Sequence, residues 1–132
     1  MTSFGTLKAD TLTHSTAGSL ATNFVVNGSA KAFINFNGTG TPASRKTLNS
    51  SSITDNGTGQ FRVAIVSAMQ DADFALLGSC IGDGATSNRT GALAASRGSN
   101  TTSVMDMNTS TANDDAQADW THNSLAAFGD LA

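Results

Sequence analysis

The chain has 132 residues, 7 Lys and Arg against 10 acids, a formal charge of -3 and a single cysteine. An acidic chain with scattered cations carries no electrostatic footprint for nucleic acid and no polybasic patch for a membrane surface. Its one thiol, Cys80, makes neither an internal disulfide nor a metal cluster. One Trp, no Tyr and acids that are all Asp predict one domain with a thin core and few helix formers.

Residues 1–23 read as an extended polar attachment arm in which Leu7, Ala9 and Leu12 face a partner, because the segment cannot bury much by itself. Its start, MTSFGTLKADTLTHSTAG, has neither the basic opening nor the apolar run of a signal peptide, and no stretch reaches membrane-spanning length. That pattern predicts synthesis in a cytoplasm and no membrane insertion. Residues 24–132 read as the folded domain. Asn23–Val26 is predicted as a short strand closed by the Asn27-Gly28 turn. Lys31–Phe36 alternates, with Ala32, Ile34 and Phe36 on one face and Lys31, Phe33 and Asn35 on the other.

After Pro42, Lys46–Ser50 is predicted as a brief edge strand. Ser51–Thr54 and Gln60–Val66 flank the Gly-rich loop Asp55–Gly59, a hairpin in which Phe61, Val63 and Ile65 share a face. Phe74–Ser79 is a compact apolar strand with a central place. Ile81–Asn100 is weakly patterned, and a short strand near Thr90–Ala95 and a mobile loop both fit it. Thr101–Met107 alternates again, Val104 opposing Met105 and Met107. Ala116–Trp120 and Ser124–Phe128 are predicted as the last hairpin, and helix over Ala92–Ser96 or Asp114–Trp120 lacks a sustained 3.6 period. About seven to nine short strands at this spacing define an all-β chain, an antiparallel β-sandwich with an extended N-terminal arm.

The candidate chemistry is sparse. Asp71 with Asp73, and Asp114-Asp115 with Asp119, offer carboxylates without the regular oxygen spacing of a calcium loop, so solvated turns are the favoured reading. His14 and His122 accompany no nucleophile motif. The Gly38-Thr39-Gly40 and Gly57-Thr58-Gly59 turns are not phosphate loops, because neither is followed by Lys-Ser/Thr and a helix. No catalytic, metal or cofactor-binding residue is nominated. Trp120 is read first as a core or interface anchor. The functional alternative makes Trp120 and Asn123 a surface contact, with the indole stacking on a sugar ring.

Three blocks of this chain resemble bacteriophage tail-fibre and virion-appendage proteins. They are Lys31–Thr41 (KAFINFNGTGT), Ser51–Phe61 (SSITDNGTGQF) and Ala68–Phe74 (AMQDADF). The leading TLKADTLTHSTAGS resembles the attachment or shaft segment that precedes such domains. Family positions usually filled by Trp or Tyr are Phe33, Phe61 and Phe74 here, which removes a polar handle from each. The resemblance implies a structural, non-enzymatic virion protein made in a host cytoplasm. It further implies a homotrimer whose partners are other tail or capsid proteins and, at the distal loops, a host surface glycan. A capsid decoration protein and a glycan-binding module are the alternatives.

Overall fold

In a computed structural model, residues 9–16, 18–82, 90–95, 100–111 and 116–132 are described. Two strands, β1 (Thr11–His14) and β2 (Gly18–Ala21), form a separate hairpin, followed by the helix α1 (Thr22–Gly28). The other eight strands are β3 (Ala32–Asn37), β4 (Ala43–Leu48), β5 (Ser50–Gly57), β6 (Gln60–Ile65), β7 (Ala75–Ile81), β8 (Thr90–Ala95), β9 (Val104–Thr111) and β10 (His122–Phe128). They lie in the antiparallel order β4-β3-β10-β7-β8-β9-β6-β5. The β7–β8 ladder is only two residue pairs long, Cys80 with Gly91 and Ile81 with Thr90. The order therefore divides into two leaves, β4-β3-β10-β7 and β8-β9-β6-β5, and the fold is an all-β antiparallel sandwich.

The core lies between the leaves and follows the period-two alternation of the strands. Ala32, Ile34 and Phe36 of β3 and Leu125 and Ala127 of β10 meet Phe61, Val63 and Ile65 of β6 and Met105 and Met107 of β9. Met69 and Phe74, from the connection between β6 and β7, fill one end. The rings of Phe36 and Phe61 touch across the sandwich edge-to-face, with centroids 5.1 Å apart, a favoured aromatic geometry.

The two outermost strands, β4 and β5, are joined by Asn49 alone. Here the chain passes from one leaf to the other, and Asn49 takes a left-handed φ of 53°. Asparagine tolerates that conformation better than other residues with a Cβ. Its side chain ties the corner to the end of β6: the Asn49 Nδ2 donates to the Ser67 carbonyl at 3.0 Å, and the Ser67 N–H donates to Asn49 Oδ1 at 2.7 Å. At the opposite end of β5 and β6, Gly59 turns the hairpin with φ 68°. A Cβ there would lie 2.3 Å from the Thr109 carbonyl oxygen, so that close approach requires glycine.

Two expectations do not hold. Asn23–Val26 is not a strand but most of α1. The β-branched and aromatic Phe24-Val25-Val26 favours a strand by propensity. No sheet edge pairs with it, however, and Thr22 anchors the helix start by donating from its N–H to the Asp10 carbonyl and from its hydroxyl to the Ala9 carbonyl. Among the described residues, 11–28 accordingly form a hairpin and helix rather than an extended arm. Ala116–Trp120 is not the first arm of the last hairpin either. It runs irregularly beside the end of β9, where Ala118 and Thr109 exchange hydrogen bonds. β10 pairs with β3 and β7 instead. The strand option at Thr90–Ala95 is realised as β8, and β4 takes the predicted edge position.

Candidate interaction surfaces

The sandwich sends alternate side chains outward, and on the leaf β4-β3-β10-β7 many of these are apolar. Phe33 pairs with Leu48 on β4 and with Ala126 on β10, and Ala126 pairs with Leu77 on β7. One row, Leu48-Phe33-Ala126-Leu77, therefore crosses the leaf on its solvent side. Leu77 is 60 % exposed. An open groove runs between Phe33 and Leu77, with Ala126 and Ser124 as its floor. The next row is polar, and there Asn35 Nδ2 donates to Ser124 Oγ at 2.8 Å. None of the four strands contains an Asp, whereas β4 carries Arg45 and Lys46. Arg45 reaches across the end of the leaf to the Thr121 carbonyl at 2.7 Å and lies 2.8 Å from His122 Nδ1.

The N-terminal hairpin and helix form the second apolar surface. Leu12 and Leu20 face each other across β1 and β2, and both are exposed. α1 buries none of its residues, and Phe24 is 65 % exposed. Lys31 holds the C-terminal end of the helix by donating to the carbonyls of Val26 and Ser29 and to Ser29 Oγ. Of the predicted arm contacts, Leu12 and Ala9 are exposed here, while Leu7 lies outside the described residues. Sequence reading missed Phe24, Val25, Val26 and Leu20. The available signal was an uncharged apolar run bounded by Asn-Gly that no neighbouring strand pattern could cover.

Across β5, β6 and β9 the other leaf faces solvent mostly with polar groups. A recess there is lined by Asn56, Gln60, Arg62, Asp106 and Asn108. Arg62 grips Asp106 with two hydrogen bonds of 2.8 and 2.9 Å, and this raises the Arg62 pKa still further. The Asp106 side chain is 8 % exposed and its partner 48 %, so the pair orders the outer face of β6 and β9 from a half-exposed position. A bidentate guanidinium–carboxylate pair fixes orientation but leaves no free base or nucleophile.

Trp120 is buried, in keeping with its first reading as a core anchor, and the alternative that makes Trp120 and Asn123 a surface contact does not hold. Trp120 is 6 % exposed and Asn123 is fully buried. Packing explains the change: the indole lies so close over Gly82 that a Cβ there would meet the ring at 2.7 Å. Asn123 donates from Nδ2 to the Trp120 carbonyl at 2.7 Å. The Trp120 Nε1 and Asn123 Oδ1 atoms are buried without a hydrogen-bond partner. This cluster closes one end of the core and offers no ring face for a sugar.

The carboxylates likewise stay apart as a site. Asp71 and Asp73 are exposed in a turn where the Asp73 N–H donates to Asp71 Oδ1 at 2.9 Å. Asp119 accepts from the Gly59 N–H at 2.7 Å, while Asp114 and Asp115 lie outside the described residues. Among the described residues no group of three His, Cys, Asp or Glu side chains is placed to hold a metal. No described helix is long and apolar enough to cross a membrane. No family model matches the chain, and neither a curated protein nor a solved structure matches it.

Proposed function

We propose that this chain is a structural bacteriophage virion protein, a trimeric tail-fibre or appendage component whose N-terminal unit anchors it to neighbouring subunits and whose distal loops meet the host surface. The observation that carries the reading is the division of labour in the chain. A self-contained sandwich has a small, apolar, solvent-exposed unit of residues 9–28 appended to it, with Leu12, Leu20, Phe24, Val25 and Val26 all uncovered. Exposed apolar groups gathered in this way mark contact surfaces. The resemblance of Lys31–Phe74 to tail-fibre and appendage segments points to the particle as the place of that contact. The protein assembles and holds; it does not transform a substrate.

Two measurements test this. Antibody-label electron microscopy of intact particles is expected to place the protein at the tail; label over the capsid moves it to a decoration role, and particles without label overturn the virion reading. Deletion of residues 1–20 is expected to leave a folded sandwich that no longer joins the particle. A truncated chain that unfolds would make the N-terminal unit part of the core. The polar recess beside Arg62 and Asp106 supports glycan binding as a second reading, and wild-type binding to bacterial surface polysaccharide that is lost in Asp106→Asn tests it.

A further inference from the structure

Among the described residues, eleven large apolar side chains are exposed, and nine of them fall into two patches. Five belong to the hairpin and helix of residues 9–28. Four, Phe33, Leu48, Leu77 and Ile81, lie on the outer face of the leaf β4-β3-β10-β7. The two patches do not cover each other within one chain, because both remain exposed in it. We propose that they cover each other between chains: the hairpin–helix unit of one copy docks on the outer leaf face of a second copy, with Phe24 seated in the groove between Phe33 and Leu77. This rests on the structural-component reading and names the partner of its N-terminal unit.

The physical case has three parts. First, the unit cannot be stable in isolation. A two-stranded hairpin is marginal in water, and a helix of seven residues is well below the roughly 12–15 at which even good helix formers hold together. A cover over Leu12, Leu20 and Phe24 supplies the missing burial.

Second, the shapes match. Four strands about 4.8 Å apart, each of six or seven residues rising about 3.4 Å, make a face of roughly 15 by 22 Å. A helix about 10 Å long and 10 Å wide, beside a hairpin about 13 Å long, spans most of it. Phe33 and Leu77 stand two strand spacings apart, about 10 Å, with the small Ala126 between them. A single aromatic side chain from a helix fits such a slot.

Third, the charges select this pairing over self-pairing of like patches. The leaf face has Lys46 and Arg45 and no Asp, so two leaf faces brought together repel. Residues 9–28 carry one formal charge, Asp10, of the sign that suits the leaf. A contact between two different patches is heterologous and repeats from copy to copy until it closes.

The test uses the purified full chain in solution, away from any particle, so its failure leaves the particle-labelling result standing. Sedimentation is expected to give the mass of two or more 13.4 kDa chains. Phe24→Lys and Leu77→Lys, both at exposed positions, are each expected to give a folded chain of single mass. A Phe24→Cys chain mixed with a differently tagged Leu77→Cys chain is expected to form a disulfide between the two tags under mild oxidation, and neither variant with itself to the same extent. A wild-type chain of single mass at all soluble concentrations overturns the proposal. So does an oligomer that survives Leu77→Lys, which would leave the N-terminal units pairing with each other.

Discussion

Replacing Asn49 tests whether the corner between β4 and β5 holds the two leaves together. Asn49→Ala removes two hydrogen bonds, of 2.7 and 3.0 Å, to Ser67. At this half-buried position these contribute about 0.5–1 kcal/mol each. The substitution also leaves a Cβ without the local polar compensation of asparagine at φ 53°, which costs about 1 kcal/mol more. The sum is a loss of about 2–3 kcal/mol. With a urea slope of about 1–2 kcal/mol per molar, the unfolding midpoint falls by about 1–3 M. Asn49→Gly loses the same two bonds but relieves the backbone, so it is expected to fall between the parent and Asn49→Ala. Both variants are measured by fluorescence of the buried Trp120 across a urea series. If Asn49→Ala unfolds within about 0.3 kcal/mol of the parent, the corner does not close the sheet and the reasoning from its φ and its bonds is wrong.

Three further outcomes are expected. Gly59→Ala places a Cβ against the Thr109 carbonyl and the Ala118 nitrogen at a left-handed φ, and is expected to lower stability by about 3 kcal/mol, or the melting temperature by about 10 °C in calorimetry. Trp120→Phe removes a buried N–H that has no partner, so the volume it loses is partly offset; a change within about 1 kcal/mol is expected, against about 3–5 for Trp120→Ala, by urea unfolding followed with circular dichroism. Burial pushes the Cys80 thiol up from its ordinary 9.0. The folded protein therefore keeps this proton at a pH where the unfolded chain gives it up. The associated stability is present below about pH 9 and lost as pH rises above it. Urea midpoints of the parent and Cys80→Ala are expected to converge from pH 8 to pH 10, and a pH-independent difference would refute the linkage.

The parts of the fold legible in the sequence were those where alternation decides burial. Ala32, Ile34 and Phe36, then Phe61, Val63 and Ile65, then Met105 and Met107, face the core as their period-two spacing requires. The segment Phe24-Val25-Val26 misled, because its strand propensity is real but local. What decides is whether a neighbouring strand offers hydrogen bonds, and none does. Trp120 is the core anchor of its first reading, and only the surface-contact alternative that it shares with Asn123 fails, for a related reason. A short polar stretch gives no alternation from which to read sidedness, and the indole is drawn inward by the space over Gly82, which only the assembled leaves create. The outer face of β7 could be located by parity once β7 was known to be a strand. That Leu77 would stay uncovered could not, since a strand read as compact and apolar is expected to be buried on both sides.

The position of β10 has a consequence for how the protein is made. It is the last of the described strands in sequence and yet the inner strand between β3 and β7, so that Asn35 bonds Ser124 across 89 residues of sequence. At a synthesis rate of about 5–20 residues per second, β3 waits roughly 5–20 s for its partner. During that interval both β3 and β7 present unpaired edges on the side that β10 will fill. The nascent chain therefore completes its first leaf only once β10 has been made, and termination between Ile81 and His122 yields a product with both β3 and β7 open at that edge instead of a shorter but stable domain.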